Sequence, residues 1–156
     1  MTQRILPTRF TDTRDSLADF GRELIVACPR CRGQARVEFE VSDGSVVQKR
    51  VCAHCGASEK KSINGLPPYQ YAPDLHQRLD LWLQTPCCGR VLWALNEAHL
   101  RFLEQYVSAD LRQRNPDVNY GWANQSLAGR LPRWITSQEN RDEVERCLRR
   151  LRARLL

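Results

Sequence analysis

A chain of 156 residues accommodates one ordinary domain or two small ones packed together, and 42% apolar with 27% charged residues is enough for a core and unlike a disordered tail. No apolar run reaches the roughly 18 residues of a membrane span, and the opening MTQRILPTRFTDTRDSLADFG lacks the apolar stretch and small-residue cleavage site of a secretory signal. A cytoplasmic protein with no membrane partner is expected. The net charge of +6 comes from 21 arginines against only Lys49, Lys60 and Lys61.

Residues 1 to about 22 are polar, broken by Pro7, and read as a mobile arm that docks through Ile5, Leu6, Phe10, Leu17 and Phe20. Leu24 to Ala27 is a short apolar run predicted as a strand leading into Cys28. From Ala35 to Val41 the chain alternates, with Val37, Phe39 and Val41 on one side. Asp43-Gly44 then marks a hairpin, and Val46 to Val51 returns to Cys52. Ala57 to Ser62 adds a further short strand, and Asn64 to Pro68 is a turn-rich linker and module boundary.

Leu79 to Leu83 and Val91 to Leu95 are predicted as a second hairpin, apolar on both faces, around Pro86-Cys87-Cys88-Gly89-Arg90. Pro73 to Gln84 also fits helical spacing, through Leu75, Leu79 and Trp82 or Leu83. Asn96 caps a predicted helix from Glu97 to Arg114, with Leu100, Leu103, Val107 and Leu111 on one stripe and Asn115-Pro116 as its stop. Gln125 to Leu131 forms a short helical segment. Thr136 and Glu139 have the spacing of a capping box for a last helix that buries Val144, Cys147, Leu148, Leu151 and Leu155.

Seven cysteines are the strongest chemical signal. In a reducing compartment paired cysteines more often hold metal than disulfides, and an odd total argues against a fully bridged framework. Cys28-Pro29-Arg30-Cys31 and Cys52-Ala53-His54-Cys55 are two C-x2-C pairs separated by twenty residues. Two sulfurs three positions apart on a tight turn reach one ion, and the intervening hairpin brings a second such turn alongside. Zn²⁺ suits four thiolates in a closed tetrahedron, so one structural zinc is the expected cofactor. Gly33 and Gly56 follow the two turns and permit the backbone to face the sulfurs. A redox pair lacks the βαβ frame it would need; iron in a rubredoxin-like site is the remaining alternative.

With CPRC, the hairpin and CAHCG in place, residues 25 to 65 resemble a zinc ribbon of the transcription-factor-IIB type. The chain is also similar to a group of uncharacterised bacterial proteins in which such a ribbon precedes a segment like LDLWLQTPCCGRVLWALNEAHLRFLEQYVSADLR. The first resemblance implies a structural Zn²⁺ at Cys28, Cys31, Cys52 and Cys55; the second implies no activity. The expected fold is α+β: an N-terminal arm over 1–24, a four-cysteine zinc ribbon over 25–65, and over 66–156 a β-hairpin packed with two main α-helices.

Cys87 and Cys88 are adjacent, and successive side chains in a strand point oppositely, so structural burial in a tight turn is expected rather than a shared ion. Cys147 is read as core, His54 as pointing outward and His99 as a packed imidazole. No phosphate-binding glycine loop, H-E-x-x-H or G-x-S-x-G occurs, and no catalytic role or small-molecule substrate is inferred. An enzyme would rest only on reactive thiols at Cys87-Cys88.

Arginine suits bidentate phosphate contact and stacking, which makes nucleic acid the first expected partner. The candidate contacts are Arg30, Arg32, Arg36, Lys49 and Arg50 around the ribbon, and Arg146, Arg149, Arg150, Arg152 and Arg154 on the last helix. A GC-rich genome would produce the same arginine excess, and cations late in a helix also offset its dipole. The alternative is a protein-interaction adaptor or accessory subunit, suggested by the Trp and Leu content of residues 79 to 103. Trp122 and Trp134 lie in less regular stretches and are candidates for a surface role.

Overall fold

The computed structural model describes residues 7–64, 75–113 and 126–155. Ile5, Leu6, Gly65 to Pro68, Pro73, Arg114 to Pro116, Trp122 and Gln125 lie outside them, and with them most of the expected linker and the expected helix stop.

A four-stranded antiparallel sheet runs in chain order: β2 (Glu23–Ala27), β3 (Gln34–Ser42), β4 (Ser45–Cys52) and β5 (Ser58–Ile63). The β3–β4 turn is the Asp43-Gly44 pair, both residues at positive φ, with Ser42 paired to Ser45. Of the predicted stripe, Val37 is buried and Phe39 packs partly against the core, but Val41 is 63% exposed. Its cross-strand partner Val46, beside the turn, is nevertheless buried.

β2 is hydrogen-bonded along both edges. On one side it pairs with β3; on the other, the Ile25 amide donates to Leu95 O at 2.8 Å, and the Trp82 amide to Ile25 O at 3.0 Å. Val26 makes an isolated bridge with Leu81. This double engagement buries Leu24, Ile25 and Val26 on both faces, the reason this strand reads as a continuous apolar run.

The second hairpin is displaced from its expected position. Leu75–Arg78 is a single helical turn (α2), Asp80 takes φ 48°, and the strands are β6 (Leu83–Cys87) and β7 (Arg90–Ala94). Leu81, expected inside the strand, is spent on the bridge to β2. The hairpin is also buried on one face only, through Leu83, Cys87, Leu92 and Ala94, with Trp82 and Trp93 half-buried.

Helix α3 (Glu97–Ser108) and helix α6 (Arg141–Ala153) cover that face. Leu100, Leu103 and Val107 meet Val144, Cys147, Leu148 and Leu151, all essentially excluded from solvent. Each such aliphatic side chain contributes about 1.5–3 kcal/mol of burial. α3 ends six residues earlier than the periodicity predicts. Ala109 turns extended, Asp110 accepts the Thr8 amide on its carboxylate at 3.0 Å and returns its own amide to Thr8 O. Leu111–Gln113 then forms β8, parallel to β1 (Arg9–Thr11).

The residues before the sheet join the core as well. Helix α1 spans Leu17–Phe20, with Leu17 buried. Phe10 packs edge-on against Phe102 and Tyr106 at 5.5 and 5.1 Å, and Phe20 stacks on His99. The expected capping box at Thr136 is absent. Thr136 closes a short helix α5 (Arg133–Thr136) after α4 (Leu127–Arg130), and α6 starts after Asn140, whose amide donates to Trp134 O. Trp134 is half-buried against the core.

Candidate metal centre

The two C-x2-C segments are built alike. Each begins where a strand ends, β2 at Cys28 and β4 at Cys52. The first cysteine's carbonyl accepts from the amide four residues on, Arg32 or Gly56, at 2.8 and 2.9 Å. Its own amide donates to the carbonyl five residues on, Gly33 or Ala57. The residue directly after the second cysteine is left-handed in both turns, Arg32 at φ 62° and Gly56 at φ 74°. Glycine makes this free at 56, while arginine bears about 1–2 kcal/mol of strain at 32.

Gly33 therefore has a different task from the one its position suggests. Its φ is ordinary, but a Cβ there would lie 3.0 Å from Cβ and Cγ of His54 and 3.3 Å from Cys31 Sγ. The missing side chain lets the two turns close on each other, and the Gly33 amide points at Cys31 Sγ at 3.4 Å. His54 itself is exposed, as expected.

Register completes the arrangement. Cys52 stands opposite Ala35, the second residue of β3, so the end of β4 returns beside the first turn. The four sulfurs of Cys28, Cys31, Cys52 and Cys55 lie within 4.8 Å of one another. Cys28 is 3.9 Å from Cys55, and Cys31 is 3.6 Å from Cys52. A tetrahedral ion with metal–sulfur bonds of about 2.3 Å has edges of about 3.8 Å, so the donor set fits such a metal. Each turn supplies one buried sulfur, Cys28 or Cys52, and one more open, Cys31 or Cys55.

The thiols are electrostatically unequal. The amides of Cys31 and Arg30 aimed at Cys28 pull it down to about 6. Cys31 receives the Gly33 amide, yet burial and the crowding of three other sulfurs push it up to about 12. Four thiols this close cannot all ionise without a cation between them.

The cationic candidates do not form one surface. Arg36 and Lys49 share a sheet face, while Arg50 lies on the opposite face, paired with Glu59. Arg32 is held by Asp80 at 2.6 Å, and Arg36 by Glu23 at 3.4 Å. On α6, Arg146 pairs with Glu143, and Arg152 with Glu97 and Glu104. Arg150 points at Cys147 Sγ, and Arg154 lies 4.6 Å over the Trp82 ring while donating to Gln84 O. Of the ten candidates, Arg30, Lys49, Arg149, Arg150 and Arg154 are exposed and have no ion-pair partner among the described residues. Nearest-neighbour reading of sequence clusters missed this, because the balancing acids lie up to 55 positions away. No helix among the described residues is long and apolar enough to cross a membrane.

No protein-family model, curated protein or solved structure matches the chain.

Proposed function

We propose that the chain is a non-catalytic module organised by one structural zinc ion at Cys28, Cys31, Cys52 and Cys55. The convergence of four sulfurs at tetrahedral spacing carries the reading. Zinc is favoured over iron because a closed all-thiolate site holding two strand ends needs no redox function, and it fixes the base of the β3–β4 hairpin to the end of β2. Elemental analysis of purified protein tests this: one zinc per chain is expected, lost on Cys52→Ser together with the β-sheet signal. Iron in its place, or no metal with the fold intact, would refute it.

The internal pairing of Arg32, Arg36, Arg50, Arg146 and Arg152 favours the protein-interaction adaptor over the nucleic-acid reading. Phosphate contact through those five residues has to displace a carboxylate each time, which leaves Arg30, Lys49, Arg149, Arg150 and Arg154 as the candidates without one. Absorbance at 260 and 280 nm after purification in moderate salt separates the two. A clean protein spectrum supports the adaptor; co-eluting nucleic acid that high salt strips away reinstates nucleic-acid binding.

A further inference from the structure

The four-stranded sheet has one closed edge and one open edge. The outer side of β2 is taken up by Leu81, Trp82 and Leu95. At the other edge β5 pairs with β4 alone, and among the described residues nothing hydrogen-bonds to its outer side.

The register decides which groups that edge presents. The Cys52 amide donates to Ala57 O at 2.9 Å, so this opposed pair is a hydrogen-bonded one. In an antiparallel ladder such pairs alternate with pairs whose main chains face away from each other. Val51–Ser58, Lys49–Lys60 and Val47–Ser62 are pairs of the second kind. Ser58, Lys60 and Ser62 therefore turn their amides and carbonyls outward, about 7 Å from one to the next.

The strand contributes little to a core. Five of its six side chains are exposed and Ile63 is half-buried, and glutamate and lysine are depleted in strands generally. Its charges are also poorly answered. Lys49 and Lys60 stand directly opposite each other, an unfavourable pairing, in a row that runs Glu38, Lys49, Lys60 and then reaches the open edge. Lys60 and Lys61 have no ion-pair partner among the described residues.

We propose that the outer edge of β5 docks an extended, acidic segment of a partner protein, which joins the sheet as a fifth strand. The proposal rests on the adaptor reading given above and names the surface and the partner's chemistry. Main-chain pairing with Ser58, Lys60 and Ser62 supplies the attachment. Carboxylates opposite Lys60 and Lys61 answer one cation on each face of the sheet.

Other occupants fit less well. Two copies of the chain in full antiparallel overlap set Lys60 against Lys60 and draw a row of lysines, 49 and 60 from each copy, across the interface. Lysine on an edge is a common guard against such self-pairing. A phosphate backbone offers acceptors alone and leaves the outward carbonyls of β5 without donors.

The full chain, purified with its native metal and labelled with ¹⁵N, is titrated with a synthetic peptide about eight residues long. The peptide carries two central glutamates flanked by threonine and valine, and amide exchange is followed residue by residue. In the free protein the Ser58, Lys60 and Ser62 amides should exchange fast, and those of Glu59, Lys61 and Ile63 slowly. The peptide should slow the first three. Lys60→Pro removes an outward amide and no ladder bond, and should weaken the peptide about tenfold. Lys60→Glu combined with Lys61→Glu should weaken it by about as much. That double variant alters exposed side chains only, so it decides the matter if Lys60→Pro fails to fold. No binding, binding that protects none of the three outward amides, or binding indifferent to the double variant would overturn the proposal. A parallel titration with a single-stranded oligodeoxynucleotide separates this failure from that of the adaptor reading. If the oligonucleotide binds and the peptide does not, both fall; if neither binds, the docking edge alone falls.

Discussion

Arg152 of α6 and Glu104 of α3 meet fork to fork, Nε 3.0 Å from Oε1 and Nη2 2.5 Å from Oε2. The third nitrogen, Nη1, reaches Glu97 Oε1 at 2.9 Å. This planar pairing is one that lysine cannot reproduce, and both side chains are about two-thirds buried, at 33% and 30% exposure. It clamps the two helices that cover the second hairpin. Arg152→Ala should destabilise the protein by about 1–2 kcal/mol, and a double-mutant cycle with Glu104→Gln in urea should show positive coupling. A coupling energy near zero would mean the pair only decorates the surface. Because Arg152 is committed internally, its loss should leave the salt dependence of any nucleic-acid binding unchanged.

Gly33 should be intolerant of substitution for a reason of space rather than backbone conformation. In Gly33→Ala the new methyl meets His54 and Cys31, forcing the two cysteine turns apart by a few tenths of an ångström. Metal affinity should fall about tenfold, read by competition with a chromophoric chelator. His54→Gly removes both obstructing carbons, Cβ and Cγ, and should restore affinity to the Gly33→Ala protein. Failure of that rescue would place the effect elsewhere.

His99 makes stability depend on pH. It is 2% exposed, its Nδ1 accepts the Leu95 amide at 3.1 Å, and burial lowers it to about 3. The folded protein thus holds a neutral imidazole while the unfolded chain takes up a proton below about pH 6.5. Its contribution is complete above that pH, declines as pH falls through the window from about 6.5 to about 3, and is absent below. Between pH 6.5 and 5 this amounts to about 2 kcal/mol. Urea midpoints should show the decline in the wild type and a flatter profile in His99→Gln. Equal slopes for the two proteins would exclude His99 as the cause.

Asn96 should be among the most sensitive polar positions. Its Nδ2 donates to Phe20 O and Glu23 O, both at 2.6 Å, while Oδ1 caps the His99 amide at 2.9 Å. One side chain thereby fixes the start of α3 to the segment joining α1 and β2. Asn96→Ala should cost about 2–4 kcal/mol. Asn96→Asp keeps the cap but loses both donors and sets a carboxylate against two carbonyls, so it should be no better. A mild Asn96→Asp would show that capping alone matters.

Much of this was legible in the chain itself. The β3–β4 hairpin and the start of α3 were readable because Asp43-Gly44 and Asn96 act on immediate neighbours through fixed turn and cap chemistry. The four metal-competent cysteines were readable for the same reason: C-x2-C spacing sets the reach of two sulfurs within a single turn.

What only tertiary structure decided concerns residues whose partners are distant in sequence. Leu81 fits a strand of the second hairpin by composition, but β2 claims it, and the hairpin starts two residues later at Leu83. Leu111 continues the helical stripe of α3, yet Asp110 binds Thr8, across 102 positions, and the helix gives way to a strand beside β1. Arg32, Arg36, Arg50 and Arg152 look like one class of free cations until the fold delivers Asp80, Glu23, Glu59 and Glu104 to them. Local hydrogen-bond geometry is written in adjacent residues; competition among distant partners for the same backbone or the same charge is resolved only when the chain closes on itself.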